Sequence, residues 1–347
     1  MLADTVPLMK LFRFAPVALV ALLVLTGCPD RSRQESATSK EEPAMRAAPA
    51  FNADSAFTFT ARQVAFGPRV PNSPAHIACG DWMVAEFKKM GLTVREQPFE
   101  AMAWDGKMLR ARNIIAQFAP QASRRVAVFA HWDTRPFADK DKQTPNAPLD
   151  GASDGASGVA IALEMARVLS QQSDSTAPAV GVDFILFDAE DYGYDTATQS
   201  KLENKLAAQG TDSWCLGSQY WSKNLLPAGY KPSYGILLDM VGAQNAKFSR
   251  EQLSREVARD VVDKVWNTAA RLGYSDFFLF QDSPGITDDH VYTNQVGVRT
   301  IDIIDHLPIG DDYFPAYHHT TQDNMNIIDR RTLKAVGQTV LQTVYAE

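Results

Sequence analysis

Residues 184–195 read FILFDAEDYGYD, four apolar residues running directly into Asp188, Glu190, Asp191 and Asp195. A short, continuous apolar run is the signature of a strand covered on both faces. At its end it delivers two adjacent carboxylates, Glu190 and Asp191. The same pattern recurs on either side. RVAVFA (125–130) leads to His131 and Asp133, YGILLDM (234–240) carries Asp239, and VRTIDII (298–304) leads to Asp305 and His306. Between these runs lie amphipathic segments of helical period, SGVAIALEMARVLS (157–170), CLGSQYWSKNL (215–225) and REQLSREVARDVVDKVWNTAARLG (250–273), with a last helix from about residue 330. Upstream, the spacing predicts a helix over 73–90 stopped by Gly91, and two strands within 92–118 around the turn WDGK at 104–107. Apolar strands alternating with helices predict an α/β fold: a three-layer α/β/α sandwich around a central mixed, mostly parallel sheet. In such sheets functional groups gather beyond the carboxyl ends of the strands, and four strand ends here deliver acids or histidines.

The chain has 347 residues, 45% hydrophobic and 22% charged, a composition that fits a folded globular body and not a disordered one. A formal net charge of −7 and the lack of a sustained basic patch argue against nucleic acid as a partner. Lys10 and Arg13 precede FAPVALVALLVLTGC (14–28), an apolar stretch of signal-peptide length that is short for a membrane span. LTGC at 25–28 resembles a bacterial lipobox, which makes Cys28 the expected site of lipidation and places the mature protein in the cell envelope, held to a membrane by a lipid anchor. Residues 1–27 are thus expected as a lipoprotein signal peptide, 28–55 as a flexible tether rich in Ser, Pro, Ala and charge, and 56–347 as one catalytic domain. Cys79 and Cys215 remain, and their spacing decides nothing about pairing.

The polar groups at the strand ends fit metal chemistry. Asp154 stands in DGASDGASG (150–158), just before a helix and among small residues that let backbone approach closely, and His319 stands in YHHTTQDN (317–324). Two carboxylates and an imidazole with an open position make a catalytic zinc set, able to polarise a carbonyl or activate a water. Each motif alone has a plain structural explanation as a solvated loop, a helix cap or a surface histidine pair. Their convergence on one sheet edge carries the weight.

AHWDT, DGASDGASGVAIALEMAR, FDAED, GSQYW, LLDMVGA, ITDDH and HHTTQDNM occur in the order expected of the zinc-dependent aminopeptidase and glutaminyl cyclase superfamily. The chain resembles most the animal-type glutaminyl-peptide cyclotransferases found in bacteria, over roughly residues 56–347. That resemblance implies one zinc ion on Asp154, Asp191 and His319, with Glu190 as general acid and base and Asp239 and Asp288 in its hydrogen-bond network. It also implies Phe314 in the substrate pocket, and peptide or protein substrates with N-terminal Gln. The alternative is an aminopeptidase with two zincs, in which His131 and Asp239 hold the second ion and Asp133 orients His131. Asp288, first in DDH, is cyclase-like. His318 departs from the pattern, since the resembling cyclases usually carry Trp there; Trp132 and Trp214 are the aromatic residues at hand to compensate.

Overall fold

The computed structural model describes residues 46–194, 212–307 and 313–347. The expected signal peptide, Cys28, most of the expected tether and Asp195 lie outside these residues.

Among the described residues, six strands form the central sheet in the order β1-β2-β4-β3-β5-β8. β3 (Arg125–His131), β4 (Gly181–Phe187), β5 (Tyr234–Asp239) and β8 (Thr300–Ile304) run parallel, while β1 (Thr93–Met102) and β2 (Met108–Phe118) join antiparallel at one side. The mixed, mostly parallel α/β sandwich is therefore as expected. Side chains alternate along each strand between two apolar clusters. Val126, Val128 and Ala130 of β3, with Val182, Phe184 and Leu186 of β4, meet helices α1 (Ala53–Val64), α2 (Pro74–Lys89), α3 (Ala156–Ser170) and α7 (Arg330–Tyr345). Ala127, Phe129, Ile185 and Phe187 point to the opposite face, against Trp221 of α4 (Leu216–Lys223) and Tyr230. Both faces are buried, which explains why these strands read as unbroken apolar runs. Phe129 is fully buried and stacks on Phe187 at 5.4 Å, so Phe129→Ala should destabilise by about 3–5 kcal/mol.

Local signals set most element ends. Ser73 caps α2 by accepting from the His76 amide, Pro74 opens the helix, and Gly91 at φ 83° ends it. The segment from 250 departs from expectation. β6 (Phe248–Glu251) comes first, and the Glu251 carboxylate then caps α5 (Gln252–Arg271) by accepting from the amides of Leu253 and Ser254. β7 (Phe278–Ser283) and α6 (Asp289–Gln295) were not expected. Nor was the start of the body. Asn52 caps α1, Phe51 is buried, and the amides of Ala48 and Phe51 donate to Gln342 and Gln338 of α7, so residues 46–55 of the expected tether pack on the domain.

β3 leads through α3 to β4 on one side, and β4 leads through α4 to β5 on the other side of β3. The chain thus changes direction at the carboxyl end of β3. In open α/β sheets this is where a crevice forms.

Candidate active site

The crevice is a cavity of about 270 Å³ whose lining includes Asp154, Glu190, Asp191, Trp214, Asp239, Asp288, Phe314, His318 and His319. Every site residue expected from the sequence is in that lining except Cys28, outside the described residues, and His131, which is buried directly beneath. Asp154 comes from the β3–α3 turn, Glu190 and Asp191 from the end of β4, Asp239 from the end of β5, Asp288 from the start of α6, and His319 from the loop after β8. Several of these turns hold non-glycine residues in left-handed backbone: Ala189 (φ 55°), Met240 (φ 50°) and His319 (φ 56°). Such conformations persist where surrounding structure enforces them and cluster at functional sites.

Two buried carboxylates, neither given this task by the sequence, hold the turns in place. Asp133 accepts from the amides of both Glu190 (3.0 Å) and Asp191 (3.2 Å). The same carboxylate faces His131, with an oxygen 3.6 Å from Nδ1, so Asp133 holds the Glu190 turn and stands against the imidazole at once. Asp323 does the same for the other turn, accepting from Ser153 (2.7 Å) and Asp154 (3.0 Å). Gly155, at φ 88°, permits the close approach, because a Cβ there would come within 2.9 Å of the Asp133 carbonyl oxygen. The Asp191 carboxylate is fixed by the Arg135 amide at 2.8 Å.

Asp154, Asp191 and His319 converge as a ligand set should. His319 Nε2 lies 3.3 Å from Asp191 Oδ1 and 3.9 Å from Asp154 Oδ2. Asp191 Oδ1 is buried without a hydrogen-bond partner among the described residues, and burial together with the Asp154 charge pushes the Asp191 carboxyl well above its usual range. A cation between these groups would satisfy the orphaned oxygen and neutralise the opposing charges. His131, Asp154 and Asp239 form a second cluster: His131 Nε2 is 3.0 Å from Asp154 Oδ1 and 3.1 Å from Asp239 Oδ1. Against the effect of burial, Asp239 and its other acidic neighbours hold His131 well above the usual imidazole range.

Glu190 receives a hydrogen bond from the Cys215 thiol, Sγ to Oε1 at 3.2 Å, and its Oε2 faces His131 Nδ1 at 3.8 Å. The expected network is therefore indirect. Asp239 reaches Glu190 by way of His131, while Asp288 approaches both Glu190 and Cys215, with one atom of each of the three within 4.8 Å of the others. Burial raises the proton affinity of Glu190, Asp239 and Asp288 alike, bringing Asp239 to about 7; the Asp288 charge pushes Glu190 further up.

The two tryptophans separate. Trp132 is fully buried, stacked on His76 at 4.3 Å, and takes no part in the cavity. Trp214 lies parallel to the His319 ring (5.8 Å, 9°) and against Gly193, where a Cβ would come within 1.9 Å of the indole. Asp305 and His306 lie behind the wall: Asp305 accepts from the Tyr317 hydroxyl, and His306 packs on Phe314.

Residues 113–344 match Peptidase family M28. The chain belongs to that family. Among solved structures, this M28 protein is similar to a Zn-dependent exopeptidase from Parabacteroides distasonis, with 48% identity, a TM-score of 0.81, and coverage of 86% of this chain and 99% of the other. It is similar also to the glutaminyl cyclase of Bacteroides thetaiotaomicron bound to N-acetylhistamine, with 46% identity, a TM-score of 0.80 and the same coverage. Among curated proteins, Aminopeptidase YwaD of Bacillus subtilis is 29% identical over 244 residues, 68% of this chain and 44% of that one. Bovine glutaminyl-peptide cyclotransferase is 25% identical over 263 residues, 68% of this chain and 65% of that one. The M28 chain thus spans less than two thirds of the length of these two relatives.

Proposed function

We propose that this M28 protein is a zinc-dependent glutaminyl-peptide cyclotransferase, converting N-terminal Gln to pyroglutamate with release of ammonia. The observation that carries the proposal is Asp288, a third buried carboxyl beside Glu190 in the same cavity as Asp239. Cyclisation needs no external nucleophile, but it does need a proton taken from one nitrogen and given to another. Buried acids with raised proton affinity suit that exchange. The likeness to bacterial glutaminyl cyclases at 46% identity supports it further.

Asp154, Asp191 and His319 would hold the zinc, which when bound supplies a Lewis acid for the γ-carbonyl of the substrate glutamine. Glu190, in the same cavity, accepts a proton from the α-amine as its nitrogen bonds to the γ-carboxamide carbon. It then returns that proton to the departing nitrogen as the carbon–nitrogen bond breaks, and ammonia leaves. His131 stands behind Oε2 of Glu190 and links it to Asp239. A cavity of about 270 Å³ accommodates one residue and its first peptide bond better than an extended chain. The direct test follows ammonia release from a Gln-initiated peptide and free amino acid from a Leu-initiated one.

The cluster of His131, Asp154 and Asp239 favours the second reading, an aminopeptidase with two zincs. For the cellular setting we propose a lipid anchor on Cys28, with the domain facing the periplasm or the cell surface. Cys28→Ser should move the protein from membranes to the soluble fraction with its rate unchanged, and continued membrane association would refute the anchor.

A further inference from the structure

We propose that Lys140 fixes His318 as the tautomer protonated on Nε2, so that His318 serves as an N–H donor to the first carbonyl of the substrate and not as a metal ligand. Lys140 Nζ is 2.9 Å from His318 Nδ1. An ammonium group has three hydrogens and no lone pair, so in this contact only the ring nitrogen can accept. Nδ1 is therefore unprotonated, and the single ring proton of the neutral imidazole sits on Nε2.

The surroundings hold the ring in that orientation. His318 lies between Phe314 (centroids 4.1 Å apart) and His319 (3.7 Å), and its own amide donates to the Pro315 carbonyl at 3.0 Å. Lys140 is tied to the same loop twice more. Its amide donates to the His319 carbonyl at 3.2 Å, and its Nζ sits 5.2 Å from the centre of the Phe314 ring. The contact is thus held by several ties between Lys140 and the 314–319 loop, and both residues line the cavity.

Proximity alone would make His318 a ligand. It brings one atom within 4.8 Å of Asp154 and His319, the same spacing as the other candidate sets. A nitrogen that carries hydrogen has no lone pair to give a cation, so the lysine removes His318 from competition with Asp154, Asp191 and His319, the residues that would hold the metal. What Nε2–H then meets follows by elimination, an assignment that rests on the cyclase reading. The first residue of a Gln peptide offers an α-amine, a γ-carboxamide and an α-carbonyl. In that reading Glu190 serves the amine, and the zinc that Asp154, Asp191 and His319 would hold supplies the Lewis acid for the carboxamide. The acceptor that remains is the α-carbonyl oxygen.

The test combines nitrogen NMR with kinetics on the zinc-loaded protein. ¹⁵N spectra of the histidine rings should show His318 with a bare Nδ1 and a protonated Nε2, and Lys140→Met should convert it to a mixture of tautomers. His318→Phe should raise KM for a Gln-initiated peptide roughly tenfold, the scale of one lost hydrogen bond, with kcat within about twofold; His318→Gln, which keeps an N–H donor, should recover most of that loss. On a substrate whose first carbonyl is reduced to a methylene, the Phe and Gln variants should behave alike. A protonated Nδ1 in the unaltered protein, a loss confined to kcat, or an equal loss on the reduced substrate would overturn the proposal. Failure of the cyclase reading would look different, as absence of ammonia release from the unaltered protein, and the NMR experiment would still decide the tautomer.

Discussion

The thiol of Cys215 and the carboxyl of Glu190 form a hydrogen bond of 3.2 Å inside a backbone clamp, in which the Cys215 amide donates to the Glu190 carbonyl and the Leu216 amide to that of Ala189. The clamp holds Cys215 in left-handed backbone at φ 57°, and burial followed by the nearby acids raises its thiol well above the usual range, keeping it a donor. One oxygen of Glu190 is thereby occupied and the other is left for substrate. Cys215→Ala should lower kcat about five- to tenfold, a weak hydrogen bond in energy, and Cys215→Ser should restore most of it. Equal rates for the Ala variant and the unaltered protein would remove the thiol from any positioning role.

Adjacent carboxylates with separate tasks should separate by assay. Glu190→Gln should keep its zinc and lose roughly 10² to 10⁴ in turnover, the usual range for a lost general acid and base. Asp191→Asn should lose zinc itself, because Asp191 Oδ1 is the oxygen aimed at His319. Zinc analysis of the two purified variants is the measurement, and equal metal loss in both would show that the roles are divided wrongly.

Chelation should abolish turnover and added zinc should restore it. His319→Ala should lower both zinc content and rate, since the imidazole is the set's one nitrogen ligand. Full metal occupancy and full activity in that variant would refute the ligand assignment.

The fold and the positions of the chemistry were legible because both signals are local. An apolar run followed by an acid marks a buried strand and its functional end, and β3, β4, β5 and β8 all obey it. What escaped was either short or long-range. α6 has seven residues, and β7 exposes three successive residues of its six, so neither carries a usable period. Asp133 and Asp323 act on amides far away in sequence, and nothing in HWDT or TTQDN says which amides those are. Trp132 and Trp214 look equally available beside site residues. The first follows directly on β3 and is fully buried, whereas the second lies on Gly193 at the cavity wall.

Asp305 gives a prediction about pH with an unusual sign. Burial lifts its carboxyl to about 6, against roughly 3.9 in an unfolded chain. Between those values the native state holds the proton more firmly, so this contribution to stability is present at low pH and is lost as pH rises through that window. Asp305→Asn keeps an acceptor for the Lys247 amide and removes the titration. In urea denaturation of metal-free protein, the fall in stability from about pH 4 to about pH 7 should shrink by up to about 3 kcal/mol. An unchanged slope would mean that Asp305 is already ionised at the acid end.

The reaction type turns on Asp288. A peptidase of this family reading needs a water made nucleophilic and room for it beside two metal ions, whereas a cyclase draws its nucleophile from the substrate. Asp288 places a buried carboxyl next to Glu190, with its Oδ2 lacking a hydrogen-bond partner among the described residues. A proton passing between nitrogens can rest among such acids, and a further carboxylate there works against forming an anionic nucleophile from water. Ring closure to five members also makes attack intramolecular, which gains the orientation advantage of a tethered group. The protein should therefore bind one zinc tightly, release ammonia from Gln-initiated peptides and leave Leu-initiated peptides intact. Asp288→Asn, similar in size but unable to carry the charge, should lower the cyclisation rate at least tenfold with zinc content unchanged. Two tightly bound zincs together with release of free N-terminal residues would replace the cyclase by the aminopeptidase, and His131 and Asp239 would then be ligands of the second ion.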